Sequence, residues 1–483
     1  MTSGHFFWVF ALFCAGVVTA LWPVSSAPAI QRALRAASLW QTVAFCLALV
    51  GLFLMELRVV DVAATTQRPF PLWFAQLPIL PIDDNPPLLG HTPPWVGNAL
   101  LILTVFQAFA LWGLYATLRR RVGRKPDLAI LALAALAMLG AGLATRGTLS
   151  TDDLYLNVGY GHLGLRAYAP PAAPFTGELR TVNRVVGAPL LGAIYGPLWL
   201  GVASTVVKTG ATLGAQLQAF RILGAVALVL CIPLLRRLGL QTAEIALVAL
   251  NPAILIAYVV DAHNDIVPLG LSLLAMVTVG WSPWLALVSA TAAGTMKLPL
   301  ALAASLAFCR LDDRRLRLSF ALATIALSLC ITLVASHGAY IADAKVAIAY
   351  QSPPGALFSA AHALALGAAG TTVFLALWSR RYIATGAWTF LALGATVLPW
   401  YALWGLPYAI LQRTFLPVFL ITLPLLGLDL STSFGLTPAM RLLYLLVICT
   451  PILFVLRERG GYPGLGTSLP GASGVSGPKF RAR

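Results

Sequence analysis

Three short stretches set groups able to move a proton or hold an anion into an otherwise apolar chain. They are Asp152 and Asp153 in STDDLYLN; Asp261, His263, Asn264 and Asp265 in VVDAHNDIVPLG; and Lys297 in AAGTMKLPLAL. Two carboxylates directly after an apolar run lie at the rim of hydrocarbon, where partial desolvation raises a carboxyl pKa and suits it to accept a proton from a hydroxyl. The same Ser150-Thr151-Asp run is also good helix-capping chemistry, so residue type alone weighs the two equally. Four polar groups at 261–265 between apolar runs are costly unless they face water, substrate or one another. Asp261, His263 and Asp265 alternate at i, i+2 and i+4, ligand types for a divalent cation but without a further fixed partner. No metal site is assigned on that pattern, and Mg or Mn stays open as a cofactor. A lysine with apolar flanks either snorkels to the interface or meets an anion; the face that Lys297 shares with the carboxylates favours the anion.

The elements that must position these groups are membrane helices. With 483 residues, 59% hydrophobic, 10% charged and a mean hydropathy of +0.86, the chain lacks the polar surface of a water-soluble domain. A bilayer core takes about 20 apolar residues per helix. The runs predicted to cross are 6–24, 40–60, 95–118, 127–145, 217–235, 242–260, 266–280, 318–336, 356–378, 385–404, 408–427 and 440–456, with 284–296 and 298–309 as a shorter hairpin. The fold class is therefore all-α, a polytopic transmembrane helical bundle of about 12–14 spans with a large extracytoplasmic loop carrying the site. Its expected divisions are N-terminal helices with a Pro-rich outer loop (1–126), a catalytic transmembrane core with the outer loop 146–216 (127–310), C-terminal helices (311–456) and a tail (457–483) whose Gly, Ser and Pro content predicts disorder.

The formal charge of +16 does not indicate nucleic acid, because the basic residues occupy short loops between apolar runs. That is the pattern of cytoplasmic loops, with Arg119, Arg120, Arg121, Arg124 and Lys125 as the densest group. Counting from it puts Asp61, Asp83, Asp84, Asp152, Asp153, Glu178, Asp261, Asp265 and Asp343 on the outer face, provided that 195–208 lies in the interface and the hairpin at Lys297 goes up and returns. The basic C-terminal tail breaks the count. The six cysteines lie in or beside apolar runs and read as small core hydrophobes. The first apolar run has no Lys or Arg before it and reads as a retained helix.

The stretch 146–194 is far longer than an ordinary connection, and long loops in helical proteins are functional or disordered. Tyr155, Asn157, Tyr160, His162 and Tyr168, followed by Tyr195 in YGPLW, suit a carbohydrate-facing surface, although tyrosines also populate membrane interfaces. Arg166, Arg180 and Arg184 add cations to the same loop.

In order, TDDLYLNVGYG with RAYAPP, YGPLW, NPAIL with AHND, and GTMKLPL resemble the integral-membrane glycosyltransferase superfamily C. More narrowly, the chain is similar to bacterial polyprenol-phosphate-mannose-dependent alpha-1,6-mannosyltransferases. The resemblance covers 127–310 and implies transfer of one sugar, mannose, from a polyprenyl-phosphate donor to a glycan or glycolipid acceptor. It implies a bacterial inner-membrane location, an outward-facing site, and inversion of a β-linked donor to an α product. It also implies that Asp152 or Asp153 is the base, that His263 and Asp265 line the site and that Lys297 meets the lipid phosphate; from residue type, Arg166, Arg184 and His263 are further candidates for that phosphate, and Asn264, Tyr155, Tyr160, His162, Tyr168 and Tyr195 for the sugar. The bilayer itself is a partner, since the polyprenyl tail needs an apolar groove. Three extra helices precede the catalytic loop, where simpler members of the superfamily have one helix in total. The rival readings are a lipid-linked saccharide flippase, which predicts paired repeats and mid-membrane polar residues, and an outer-leaflet glycan polymerase or ligase that uses loop arginines.

Overall fold

A backbone in hydrocarbon must satisfy its own hydrogen bonds, so long apolar runs fold as helices. In the computed structural model every regular element among the described residues is helical. These residues are 28–66, 94–121, 125–145, 148, 151–171, 175–186, 192–351, 356–383, 386–390, 399–413 and 415–433. The expected spans 6–24 and 440–456, most of the Pro-rich loop and the tail lie outside them.

The helices used below are α1 (Pro28–Thr66), α2 (Pro94–Arg120), α3 (Lys125–Leu143), α4 (Asp153–Leu163), α5 (Pro197–Val207), α6 (Leu213–Arg237) and α7 (Thr242–Ala249). They continue with α8 (Ile266–Thr278), α9 (Pro283–Met296), α10 (Leu300–Ser305), α11 (Arg314–Ala335) and α12 (Ala339–Gln351). Five described helices are long and apolar enough to cross a membrane, and the bent pair formed by α7 and Pro252–Val260 makes six if it counts as one span. Two of the expected spans lie outside the described residues, and within the described residues several apolar runs are divided. The run 242–260 bends by 49° at Asn251, whose side chain accepts from the Ala253 amide in place of a helical partner. The run 266–280 yields 13 helical residues. The run 385–404 yields a short helix at 386–389 and a 3₁₀ stretch at 399–405, and 408–427 divides at Arg413, which has a left-handed backbone.

Within 195–208 lies the 11-residue α5, too short to span. α9 and α10 form the expected hairpin, with Lys297 capping α9 at its tip.

Basic residues tie together one end of this bundle. Arg121 pairs with Asp127 at 2.9 Å, Arg119 reaches Gln241 and Glu244, Arg310 donates to the Met276 carbonyl, and Arg317 donates to the Leu377 carbonyl. Asp152, Asp153, Asp261 and Asp265 instead follow the opposite ends of α3 and of the bent pair 242–260. Apolar side chains on the outward faces, such as Leu133 and Leu136 on α3, Val229 and Leu230 on α6 and Leu322 and Val334 on α11, are exposed, as a lipid-facing surface requires.

Two apolar cores result. One joins α1–α3, α6–α11 and the C-terminal helices. The other joins α4, α5, the 3₁₀ turn Gly164–Tyr168, the start of α6 and Tyr340 of α12, and it covers the acidic end.

Candidate active site

α4 begins at Asp153, with Asp152 as its N-cap residue. The Asp152 carboxylate makes no capping hydrogen bond, so the capping account of this pair does not describe the fold. The Asp153 amide is received instead by the Thr151 hydroxyl at 3.1 Å.

Opposite the pair, the second half of the bent span is a π-helical turn, Ile256–Val260, an arrangement that recurs at functional sites. It delivers the chain to Ala262, which has a positive φ of 49°, uncommon for a residue with a Cβ. Asn157 of α4 holds this corner by donating to the Ala262 carbonyl at 3.2 Å, while its own oxygen accepts from Trp199 of α5 at 3.0 Å. His263 then meets Asp153, Nδ1 to Oδ2, at 2.7 Å. Its ring stacks on Trp400 with centroids 3.6 Å apart.

Asp265 accepts from Lys297 Nζ at 2.7 Å and from Trp404 Nε1 at 2.8 Å. The ammonium lies 5.0–5.4 Å from the ring centroids of Tyr195, Tyr401 and Trp404, within cation–π range. Tyr195 bridges the two halves of the site, because its hydroxyl also donates to Asp153 at 3.4 Å. Its position depends on Gly196, whose amide donates to the Met296 carbonyl at 2.8 Å; a Cβ on Gly196 would run into the Thr295 carbonyl.

Arg221 of α6 is fully buried about two helical turns, roughly 12 Å, from the start of that helix. It donates to the Val260 carbonyl at 2.9 Å and to the Thr145 carbonyl, and the charge of Asp261 acts on it. It therefore joins the segment entering the Asp152–Asp153 pair to the segment entering 261–265, with both sunk below the end of α6.

The electrostatics separate the two aspartates. Burial, then the neighbouring Asp153 charge, pushes the Asp152 carboxyl up to about 6, while His263 acts weakly in the other direction. Burial also works against an ionised Asp153, but the charge and hydrogen bond of His263, the Lys297 charge and the Tyr195 hydroxyl outweigh it and hold this carboxyl below its ordinary range. For His263 burial disfavours the cation, yet Asp153, then Asp261 and Asp265, raise its pKa. Burial and the charge of Asp153 hold the Tyr195 phenol well above its usual value, so it remains a hydroxyl donor.

The expected site residues thus divide. Asp153, His263, Asp265, Lys297 and Tyr195 form one contact network, and the Asp152 carboxyl feels both Asp153 and His263. Asn264 is buried beside it, and neither end of its amide has a protein partner among the described residues. Tyr160 packs edge-on against Tyr195 at 5.9 Å, and Tyr168 donates to the Tyr195 carbonyl at 2.9 Å. Tyr155 is buried in the same core as Tyr160 and Tyr195. His162 is turned away, 2.9 Å from Gln216, and Arg166 is exposed on its 3₁₀ turn with no side-chain contact to the network. The helical backbone at Arg184 is described, but its side chain lies outside the described residues. Asp261, His263 and Asp265 do not converge on one point: they face Arg221, Asp153 and Lys297 respectively, and no three His, Cys, Asp or Glu side chains among the described residues form a metal-sized group.

Four participants were missed in the sequence: Arg221, Trp400, Tyr401 and Trp404. The aromatics had a signal in PWYALWGLPYAI, where bulky rings and helix-breaking Gly and Pro interrupt an apolar run. Arg221 had a weaker one, a lone arginine inside a spanning run.

No curated protein and no solved structure matches the chain. The family model described as alpha-(1->6)-mannopyranosyltransferase, N-terminal domain, matches residues 191–311, the stretch that holds Tyr195, Arg221, His263, Asp265 and Lys297. Over that stretch the chain is similar to a mannosyltransferase of this type, and its long apolar helices fit a helical multi-pass membrane protein.

Proposed function

We propose that the protein moves a single mannosyl group from a polyprenyl-phosphate donor to a mannan-type glycan or glycolipid, at the extracytoplasmic face of a bacterial inner membrane, turning a β-linked donor into an α-linked product. The observation that carries the assignment of roles is a mismatch of charges. Asp153 has His263, Asp261 has Arg221 and Asp265 has Lys297, whereas Asp152 has no ion pair among the described residues. A base needs an uncommitted carboxylate, ionised at neutral pH yet still able to take a proton, and Asp152 at about 6 meets both requirements.

Asp152 accepts the proton of the acceptor hydroxyl as that oxygen bonds to C1 of the sugar. The C1–O bond to phosphate breaks on the opposite face, and its electron pair leaves with the phosphate. Asp153 is a positioning residue that holds His263 and receives Tyr195. The departing phosphate gains negative charge that a nearby cation stabilises directly. Lys297 and His263 supply that cation, the donor phosphate competing with Asp265 for the ammonium. No step requires a metal ion bound to these residues, and Mg or Mn between the donor phosphate and this chain is a separate proposal, tested by adding a chelator to the assay.

The test is transfer of radiolabelled mannose from polyprenyl-phosphate-mannose to a mannan-type acceptor in membranes. Wild type should transfer, and Asp152→Asn should lose between 10²- and 10⁴-fold in rate, about the contribution of a positioned base, with donor binding intact. No transfer by wild type would overturn the donor assignment and turn attention to other lipid-linked sugars, then to a flippase. Full activity of Asp152→Asn would overturn the base.

A further inference from the structure

α9 runs from Pro283 toward Lys297, and the chain returns through α10 to Arg310. Arg314, the first residue of α11, therefore lies at the end of that hairpin away from Lys297. Its guanidinium covers the Trp378 indole, 4.2 Å from the ring centroid. The Phe374 ring stacks next to Trp378 at 5.7 Å, tilted by 25°. Both rings belong to the helix Ala356–Ser379, and at 42% and 51% exposed they keep an open face among the described residues. Arg317, buried one turn after Arg314, donates to the Leu377 and Trp378 carbonyls, which fixes this helix end against α11. The two nearby carboxylates are committed elsewhere: Asp312 pairs with Arg380 at 3.0 Å, and Asp313 caps α11 by accepting from the Arg315 and Leu316 amides. Arg314, Arg315 and Arg381 are exposed and form no ion pair among the described residues. Because α11 is long and apolar enough to cross a bilayer from Arg314 to Ala335, the stack stands at a membrane boundary, with Phe374 on its hydrocarbon side.

We propose that the Arg314–Trp378–Phe374 stack binds the headgroup of an anionic phospholipid from the surrounding bilayer. A ring beneath the guanidinium occupies its face and leaves its edge donors free, the arrangement that receives a phosphate through two parallel hydrogen bonds. Trp378 and Phe374 offer the acyl chains an apolar wall below that phosphate, as aromatic residues do at membrane boundaries. Arg315 and Arg381 repel the ammonium of a zwitterionic headgroup and favour one whose only charge is its phosphate. The site is separate from the residues assigned to mannosyl transfer, so the inference does not depend on that reading.

The test is lipid retention by the full-length protein in detergent. Native mass spectrometry would compare bound phosphatidylglycerol with bound phosphatidylcholine of the same chain length, in wild type, Arg314→Gln, Trp378→Leu and Arg236→Gln. Arg236 is exposed at the end of α6 and stacks on no ring among the described residues, so its variant reports what bare charge contributes. Wild type should prefer phosphatidylglycerol. Arg314→Gln should reduce that preference about fivefold, the order of one arginine beside an anionic surface. Trp378→Leu, which keeps an apolar side chain but removes the stack, should reduce it by roughly two- to fivefold, with a melting temperature like wild type. Arg236→Gln should leave it unchanged, and inorganic phosphate should not displace the lipid. No preference in wild type, a preference unchanged in Arg314→Gln, an equal loss in Arg236→Gln and Arg314→Gln, or displacement by inorganic phosphate would each overturn the proposal. The third of these outcomes would mark the attraction as bare charge, and the last would mark the stack as a site for free anions.

Discussion

The two cores are held together in opposite ways. In the membrane helices the hydroxyl side chains bond mainly within their own helix: Thr104 to the Leu100 carbonyl, Thr117 to Gly113, Ser272 to Pro268 and Thr324 to Phe320, each four residues back. Such back-bonding satisfies the group locally and joins nothing, so apolar contact does the packing. In the covering module the polar side chains reach across the chain. Asn157 holds residue 262, Trp199 holds Asn157, Ser204 holds Gly161, Tyr168 holds Tyr195 and Tyr195 holds Asp153. The first region is a scaffold packed mainly by apolar contact, with a few side-chain ties between helices such as Gln107 to Glu56 and Asn251 to Thr422. The second is a network in which each polar group fixes another, and buried networks of that kind lose most when one member is removed.

Arg221 is where the two regions meet, and its removal should give the largest effect. Arg221→Gln severs the ties to the Val260 and Thr145 carbonyls and leaves Asp261 without its cation. Breaking a buried pair from one side costs about 3–5 kcal/mol. The expected outcome is a clear drop in melting temperature in detergent and a loss of transfer well beyond 100-fold, with Arg221→Lys intermediate. A melting curve and rate like wild type would show that scaffold and network are not coupled through this residue.

Next in size are the paired groups, where pH gives opposite signs. Because the base must be ionised, kcat/KM should rise with pH through about 6, the value to which burial and Asp153 push Asp152. Asp153→Asn removes a raising neighbour and should move that limb below 6, while His263→Gln removes a lowering one and should move it above 6, each with a rate loss of at least tenfold. Stability follows the pair differently. The raised His263 stabilises fully below its ordinary value of about 6.5 and loses that contribution as pH climbs through its raised value. The lowered Asp153 contributes above the ordinary carboxylate value and loses its share as pH falls through its lowered one. Wild-type melting temperature should therefore be highest between those limits and flatter with pH in His263→Gln. Limbs that move together would show that Asp152 is not the titrating base.

The same contrast explains what was legible in the sequence. Segments satisfied within themselves announce themselves by hydropathy, so α1, α2, α3, α6 and α11 were readable, as was the hairpin that lifts Lys297. Asp153, His263, Asp265 and Lys297 were readable because charged residues are few in this chain and costly in apolar surroundings. Their partnerships were not, since Asp153 with His263 and Lys297 with Asp265 join residues far apart in sequence. Spacing likewise suggested that Asp261, His263 and Asp265 could share one ligand, but the positive φ at Ala262 and the π-turn before it send the three to different partners. Arg166 and His162 were attractive as polar loop residues, yet the 3₁₀ turn leaves Arg166 exposed and α4 directs His162 to Gln216.

A smaller effect is expected at Gly196, which belongs to the network only through its backbone. A Cβ there meets the Thr295 carbonyl, so Gly196→Ala must push Tyr195 away from Lys297. Overpacking of this kind costs about 1–3 kcal/mol, and the donor KM should rise several-fold with kcat little changed. The smallest effect should come from Ile222, next to Arg221 in sequence but 48% exposed on α6. Ile222→Ala touches lipid and no network member, so its stability change should stay within about 0.5 kcal/mol and its transfer rate within twofold of wild type. Placed beside Arg221→Gln in the same melting and transfer assays, it measures how sharply the boundary between scaffold and network is drawn. A large loss from Ile222→Ala would mean that this face of α6 is covered by protein, and that the second region extends further down the helix than its hydrogen bonds reveal.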